Sequence, residues 1–178
     1  VLDAATGYGY GAGILLSLGA KSVVGIDIDV DAVNDANKRF ESPKAVFTTC
    51  DIFNLTDTFQ ENEFEVCTSI ETFEHLPPER LDEYLQSIRK VTSEAVIITT
   101  PKRKTEKWVY DGGTHLYEYD PKEFMDALNR NFPNDNVGGF GIVEVPLKSS
   151  VPGVDRQWGS GITNNLNEAW VMFGVISL

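Results

Sequence analysis

Residues 3 to 13 read Asp3-Ala-Ala-Thr-Gly7-Tyr-Gly9-Tyr-Gly11-Ala-Gly13, directly after Val1-Leu2 and directly before Ile14-Leu15-Leu16. Glycines at alternate positions remove side chains where a chain leaving a strand must bend sharply, and they let another molecule approach the backbone. A helix following such a bend presents free amides at its first turn. The stretch therefore predicts a strand end, a glycine-rich turn and a helix beginning near Gly11. Such a turn either receives a nucleotide-like group or is only a tight strand-to-helix connection. Gly7-x-Gly9-x-x-Ala12 also satisfies a loose dinucleotide fingerprint, so the turn alone does not choose a ligand.

The rest of the chain supplies a frame for that turn. Strand-like runs at Val1–Ala4, Ser22–Asp27, Ala45–Thr49, Phe64–Thr68 and Glu94–Thr99 alternate with helical patterns starting near Gly11, Val30 and Pro78. Alternation of this kind predicts a parallel sheet with helices on both faces, and 178 residues fit one domain. Asp29 is placed to cap the helix carrying Ala32, Val33, Ala36 and Phe40. Pro77-Pro78-Glu79 opens a helix with Leu81, Leu85 and Ile88 inward, and Asp120-Pro121-Lys122-Glu123 forms a capping box before Phe124, Ala127, Leu128 and Phe132. Near the end, Phe140–Pro146 and Ala169–Ser177 read as two strands with no helix between them, hence an antiparallel pair. The intervening 147–168 segment, rich in glycine and asparagine, is expected to be a lid or a mobile insertion.

Charge narrows the partners. Fifteen Lys plus Arg against 27 Asp plus Glu give a net charge of −12, which repels a phosphate backbone and argues against nucleic acid. No apolar run is long enough to span a bilayer and no secretory pattern opens the chain, so the expected setting is cytoplasmic, without a membrane partner. Cys50 and Cys67 fall in or beside apolar strands that are not expected to be neighbours, which predicts two buried free thiols. Oligomeric state is not legible.

Acidic residues at successive strand ends favour one ligand over the other. Asp3 would set a negative charge where a pyrophosphate should lie, and the same charge favours an ammonium or sulfonium group. Asp27 ends the second strand, placed for ribose hydroxyls, and Ile28 offers an apolar face to adenine. After the third strand, Asp51 could accept from the adenine amino group and Ile52 could donate a backbone amide. These features point to S-adenosylmethionine (SAM) rather than a dinucleotide.

At this point the chain resembles the class I SAM-dependent methyltransferases over its whole length. Asp3-x-x-x-Gly7-x-Gly9-x-Gly11 is similar to that family's first motif, Asp27 to its ribose-binding acid, Asp51 to its adenine-contacting acid, and Phe64–Ser69 to its fourth strand. The resemblance implies an α/β, Rossmann-like seven-stranded sheet ordered 3-2-1-4-5-7-6 with strand 7 antiparallel. It implies a cofactor site of Asp3, Gly7, Gly9, Gly11, Asp27, Ile28, Asp51, Ile52 and Ser69. The family usually carries helices before its first strand, whereas residues 1–178 begin within that strand, so a truncated or minimal single domain is expected, with weak cofactor binding or no turnover.

Chemistry is expected after the fourth and fifth strands. His75 and His115, the chain's two histidines, stand at the carboxyl edge of the sheet, where a neutral imidazole can take a proton from an acceptor hydroxyl. Glu71, Glu74, His75 and His115 form a mixed ligand set for a divalent metal, and Glu-x-x-Glu-His with a later His resembles the ubiquinone-biosynthesis O-methyltransferases and the small-RNA 2'-O-methyltransferases. General base, metal ligand and loop-ordering histidine all remain open readings. The Asn/Asp-Pro-Pro-Tyr signature of amino-group methylation is absent, which favours an oxygen acceptor on a small molecule, with RNA or a non-catalytic SAM-binding domain as alternatives. Lys102–Tyr110, and Arg156 with Trp158, offer either contacts to an anionic or planar acceptor or solvated loops with aromatics packed beneath.

Overall fold

β1 (Leu2–Ala4) is only three residues long and wholly buried, and so short a strand persists because it is paired on both sides. In the computed structural model, which describes residues 1–104, 112–147 and 157–178, β1 runs parallel between two longer strands. These are β2 (Val23–Asp27) and β4 (Phe64–Ser69), with Leu2 opposite both Val24 and Cys67. β3 (Ala45–Thr49) extends the sheet beyond β2, and β5 (Thr92–Pro101) extends it beyond β4, all parallel. β8 (Val171–Ser177) then runs antiparallel to β5, followed by β6 (Asn136–Leu147) and β7 (Gln157–Thr163), giving the order β3-β2-β1-β4-β5-β8-β6-β7.

Among the described residues eight strands stand where seven were expected, and the difference lies in one place. Part of the 147–168 segment, read from sequence as a lid or insertion, is the edge strand β7, paired antiparallel to β6 from Gly141–Thr163 to Leu147–Gln157. Gly159 and Gly161 read as strand breakers, but an edge strand pairs on one side only and tolerates them. Residues 148–156, with Arg156, lie outside the described residues, as do 105–111, which include 105–110 of the basic and aromatic stretch. Among the described residues no helix is long and apolar enough to cross a membrane.

Helices α1 (Tyr10–Ser17), α2 (Val30–Arg39), α3 (Leu81–Val91) and α4 (Pro121–Asn131) cover the sheet. Their starts follow local chemistry: Asp29 accepts from the Asp31 and Ala32 amides, and Asp120 with Glu123 forms the reciprocal capping box. Strand alternation puts Val23 and Ile26 of β2 on opposite faces, and they belong to separate apolar clusters. One gathers Ala12, Val33, Ala36 and Phe47; the other gathers Tyr84, Leu85, Ile88, Phe124 and Leu128. Cys50 and Cys67 are buried free thiols.

α1 has no capping side chain of its own at Gly9. Asp3 supplies one from the neighbouring strand. Its carboxylate, 3% exposed, accepts from the Thr6 hydroxyl at 2.6 Å, from the Thr68 hydroxyl on β4 at 2.9 Å, and from the Ala12 amide in the first turn of α1. A Cβ at position 11 would stand 2.8 Å from Asp3 Oδ2, so Gly11 clears the space the carboxylate fills. Gly9, at φ +80, lies against the Phe47 ring, which a Cβ would meet at 2.9 Å.

Two stability measurements check this packing. Gly9→Ala combines a left-handed backbone with that ring contact and is expected to lower unfolding free energy by about 2 kcal/mol in urea titrations. Burial raises the Asp3 carboxyl pKa, an effect only partly offset by its three donors. A raised folded-state value means that the group's contribution is greatest below the unfolded carboxyl range and is lost as pH rises through the folded value. Asp3→Asn, neutral throughout, should therefore gain stability relative to the parent as pH is raised from about 3 to 7.

Candidate functional site

All the parallel strands end on one edge, and two adjoining cavities open there. The first, about 380 Å³, is lined by Asp27, Ile28, Asp51, Ile52, Phe53 and His75 among others. The second, about 360 Å³, is lined by Asp3, Thr6, Gly11, Ile14, Thr68 and Ile70 among others. Ala5 lines both, and it holds a left-handed backbone at φ 59, uncommon for a residue with a Cβ. Among the described residues no lysine or arginine lines either cavity, so a diphosphate would meet carboxylates there.

The three glycines divide their work. Gly7, at φ +54, is the one whose Cβ would meet nothing within 4 Å, so open space lies in front of it. Its amide donates to Asp27 Oδ2 at 2.8 Å, while Asp27 Oδ1 accepts from the Asp29 amide at 3.0 Å. Two amides thus fix this carboxylate at the rim while lone pairs remain for a diol. Ile28, beside it, is 71% exposed, an apolar face turned outward at a cavity wall. Asp51 is oriented the same way, with the Phe53 amide on Oδ1 at 3.0 Å. Gly9 and Gly11 face Phe47 and Asp3 respectively, and Gly11 also lines the second cavity. Ser69 is fully buried, accepts from the Tyr84 hydroxyl at 2.7 Å and lines neither cavity.

The carboxylate and histidine cluster sits on short irregular elements after β4 and β5. A 3-10 turn (Phe73–His75) buries Glu74 to 1% exposure, where Oε2 accepts from the Thr100 hydroxyl at 3.0 Å. The Glu74 carbonyl accepts from the Leu116 and Tyr117 amides at 2.8 and 3.1 Å, which ties the 112–119 segment to this turn. His75 Nδ1 lies 2.9 Å from the Thr114 carbonyl, and His115 Nδ1 lies 2.9 Å from Glu118 Oε1. Both partners accept, so each Nδ1 carries a proton, and in the neutral ring each Nε2 keeps its lone pair. The two Nε2 atoms face Glu74 Oε1 at 3.8 and 4.0 Å. Burial, with the Glu71 charge nearby, raises the Glu74 pKa.

Of the four residues grouped from sequence as metal ligands, the structure gathers three: ligand atoms of Glu74, His75 and His115 lie within 4.8 Å of one another. Glu71 stands at φ 51 with its carboxylate and amide both bonded to the Thr99 hydroxyl, at 2.7 and 2.9 Å. Two imidazoles whose outer nitrogens are oriented by a carbonyl and a carboxylate, beside a buried carboxylate, suit a divalent cation.

Sequence reading missed Ala5, Phe53, Thr99, Thr100, Thr114 and Glu118. Only Glu118, three residues after His115, carried a signal, and that spacing means little until the loop conformation is known. The basic stretch resolves in its described part: Arg103, its side chain 7% exposed, pairs with Asp120 at 2.9 Å and Glu123 at 2.7 Å. It anchors the segment to the start of α4.

The family model described as a methyltransferase domain matches residues 1–95, more than half of the chain. A SAM-dependent methyltransferase from Archaeoglobus fulgidus superposes with TM-score 0.69 at 16% identity, covering 99% of this chain and 85% of that one. A complex of the Haloferax volcanii Trm112 methyltransferase activator with a methyltransferase gives 0.73 at 16%, covering 99% and 80%. The methyltransferase domain of the bacterial protein CtHen1-CN gives 0.70 at 17%, covering 99% and 89%. At such identities these likenesses establish the fold. No curated protein matches at a significant level. The family model, the sheet order and the acid-lined cavities agree, and the chain belongs to the class I SAM-dependent methyltransferases.

Proposed function

We propose that this methyltransferase acts on an oxygen of a small-molecule acceptor, bound beside Glu74, His75 and His115. The observation that carries this reading is the convergence of both imidazole Nε2 atoms on Glu74, with each Nδ1 occupied. SAM would take the adenosyl moiety into the larger cavity, with Asp27 on the ribose, Asp51 on the base and Ile28 and Ile52 as apolar walls. Its amino-acid portion would take the cavity at Asp3 and Gly11, in front of Gly7.

SAM supplies an electrophilic methyl group, so the protein's work is alignment and removal of the acceptor proton. Glu74, His75 and His115 would hold a divalent cation, which would lower the pKa of an acceptor hydroxyl. Without a cation, the same Nε2 lone pairs would accept the acceptor's proton directly, so the two roles are alternatives. Thr100 steadies the Glu74 carboxylate, and Thr114 and Glu118 set the planes of the two rings. The net charge of −12 favours a small acceptor over RNA.

The test is transfer of labelled methyl from SAM across panels of hydroxyl-bearing metabolites, amines and short RNAs. Product is expected on oxygen of a small molecule, with activity falling about 100-fold or more in His75→Ala and His115→Ala while S-adenosylhomocysteine still binds. A chelator should remove activity and added Mg²⁺, Mn²⁺ or Zn²⁺ restore it. Methylation confined to amines or RNA, or full activity in both histidine variants, would contradict the proposal.

A further inference from the structure

Residues 50–53, which follow β3, wall the nucleoside cavity without belonging to a helix or strand. Besides the Asp51 carboxylate on the Phe53 amide, support for this stretch and its continuation comes from α3 and the 3-10 turn before it, Pro78–Arg80. The Leu55 amide donates to Ser87 Oγ of α3 at 3.1 Å, in a buried contact. Phe53 is fastened differently: the Arg80 guanidinium covers its ring, with Cζ 3.6 Å from the ring centroid. That guanidinium is partly exposed, and its Nε and Nη2 each donate to the Glu83 carboxylate at 2.8 Å in a bidentate pair that orients it over the ring. Arg80 does not line the cavity, whereas Phe53 does.

We propose that Arg80 is a positioning residue for the cofactor: braced by Glu83 and stacked on Phe53, it holds that ring as a wall of the nucleoside cavity. It sets affinity for the adenosyl moiety without touching it. The reason is entropic as much as electrostatic, because a half-buried aromatic ring released from its cation regains rotamers that ligand binding must then freeze. A cavity wall fixed beforehand spares the ligand that cost. The inference rests on the SAM reading of this cavity.

The experiment is calorimetric titration of the chain with S-adenosylhomocysteine for the parent, Arg80→Ala, Arg80→Lys, Phe53→Leu and the double variant Arg80→Ala/Phe53→Leu, with melting curves for each. Arg80→Ala should weaken binding by about three- to tenfold, and Arg80→Lys should recover part of the loss. In the Phe53→Leu background the Arg80 substitution should change nothing further, since the ring through which it acts is gone. With an acceptor in hand, KM for SAM should rise in Arg80→Ala while kcat holds. Failure of the parent to bind would overturn the SAM reading and this inference together. A parent that binds, with Arg80→Ala binding equally well or with additive losses in the double variant, would overturn this inference alone.

Discussion

A carboxylate buried between two strands and a helix start organises this molecule. Asp3 reaches Thr68 on β4, Thr6 in the turn and the Ala12 amide of α1, so a single side chain decides how the glycine-rich turn leaves the sheet. Its burial is unfavourable for the charged form, which raises its pKa, and three donors only partly offset that cost. Removing any one donor would leave a buried charge less well satisfied. The arrangement also requires Gly11, because a methyl group there would occupy the space of Oδ2. The acid and the glycine are thus two halves of one packing solution.

Much of the fold was legible because its signals are local. Asp29 and Asp120 cap the helices assigned to them, the alternation of strands and helices gives the parallel sheet, and the final antiparallel strand falls where expected. β7 was not legible: glycines and polar residues are compatible with a loop or with an edge strand, and only the pairing with β6 decides. The site shows the same division. Asp27, Asp51 and the histidines announce themselves by residue type at strand ends, while Thr99, Thr100 and Thr114 are ordinary threonines whose roles arise from contacts across 26 to 39 residues of sequence. The glycine motif hid a distinction too, since a sequence cannot tell the glycine facing open space from those facing Phe47 and Asp3.

Strain and buried charge collect at one edge of the sheet. Ala5 and Glu71 hold left-handed backbones there, and Glu74 is buried with a raised pKa beside two histidines. Each feature opposes folding stability, and each is held by neighbours: Thr99 on Glu71, Thr100 on Glu74, and the Leu116 and Tyr117 amides on the Glu74 carbonyl. Arg103, paired with Asp120 and Glu123 at the start of α4, also donates to the Tyr117 hydroxyl and the Glu118 carbonyl, which ties the segment that carries His115 to the end of β5. A rigid helix start thereby supports a loop that has no regular structure of its own.

The central claim is that an acid-lined pair of cavities meeting at Ala5 accepts a cationic nucleoside. A crystal structure with bound S-adenosylhomocysteine addresses it most directly. The base should lie among Ile28, Asp51, Ile52 and Phe53, the ribose at Asp27, and the amino-acid end near Gly7 and Asp3. A ligand found elsewhere on the protein, or reversed so that the base lies against Asp3, would contradict it.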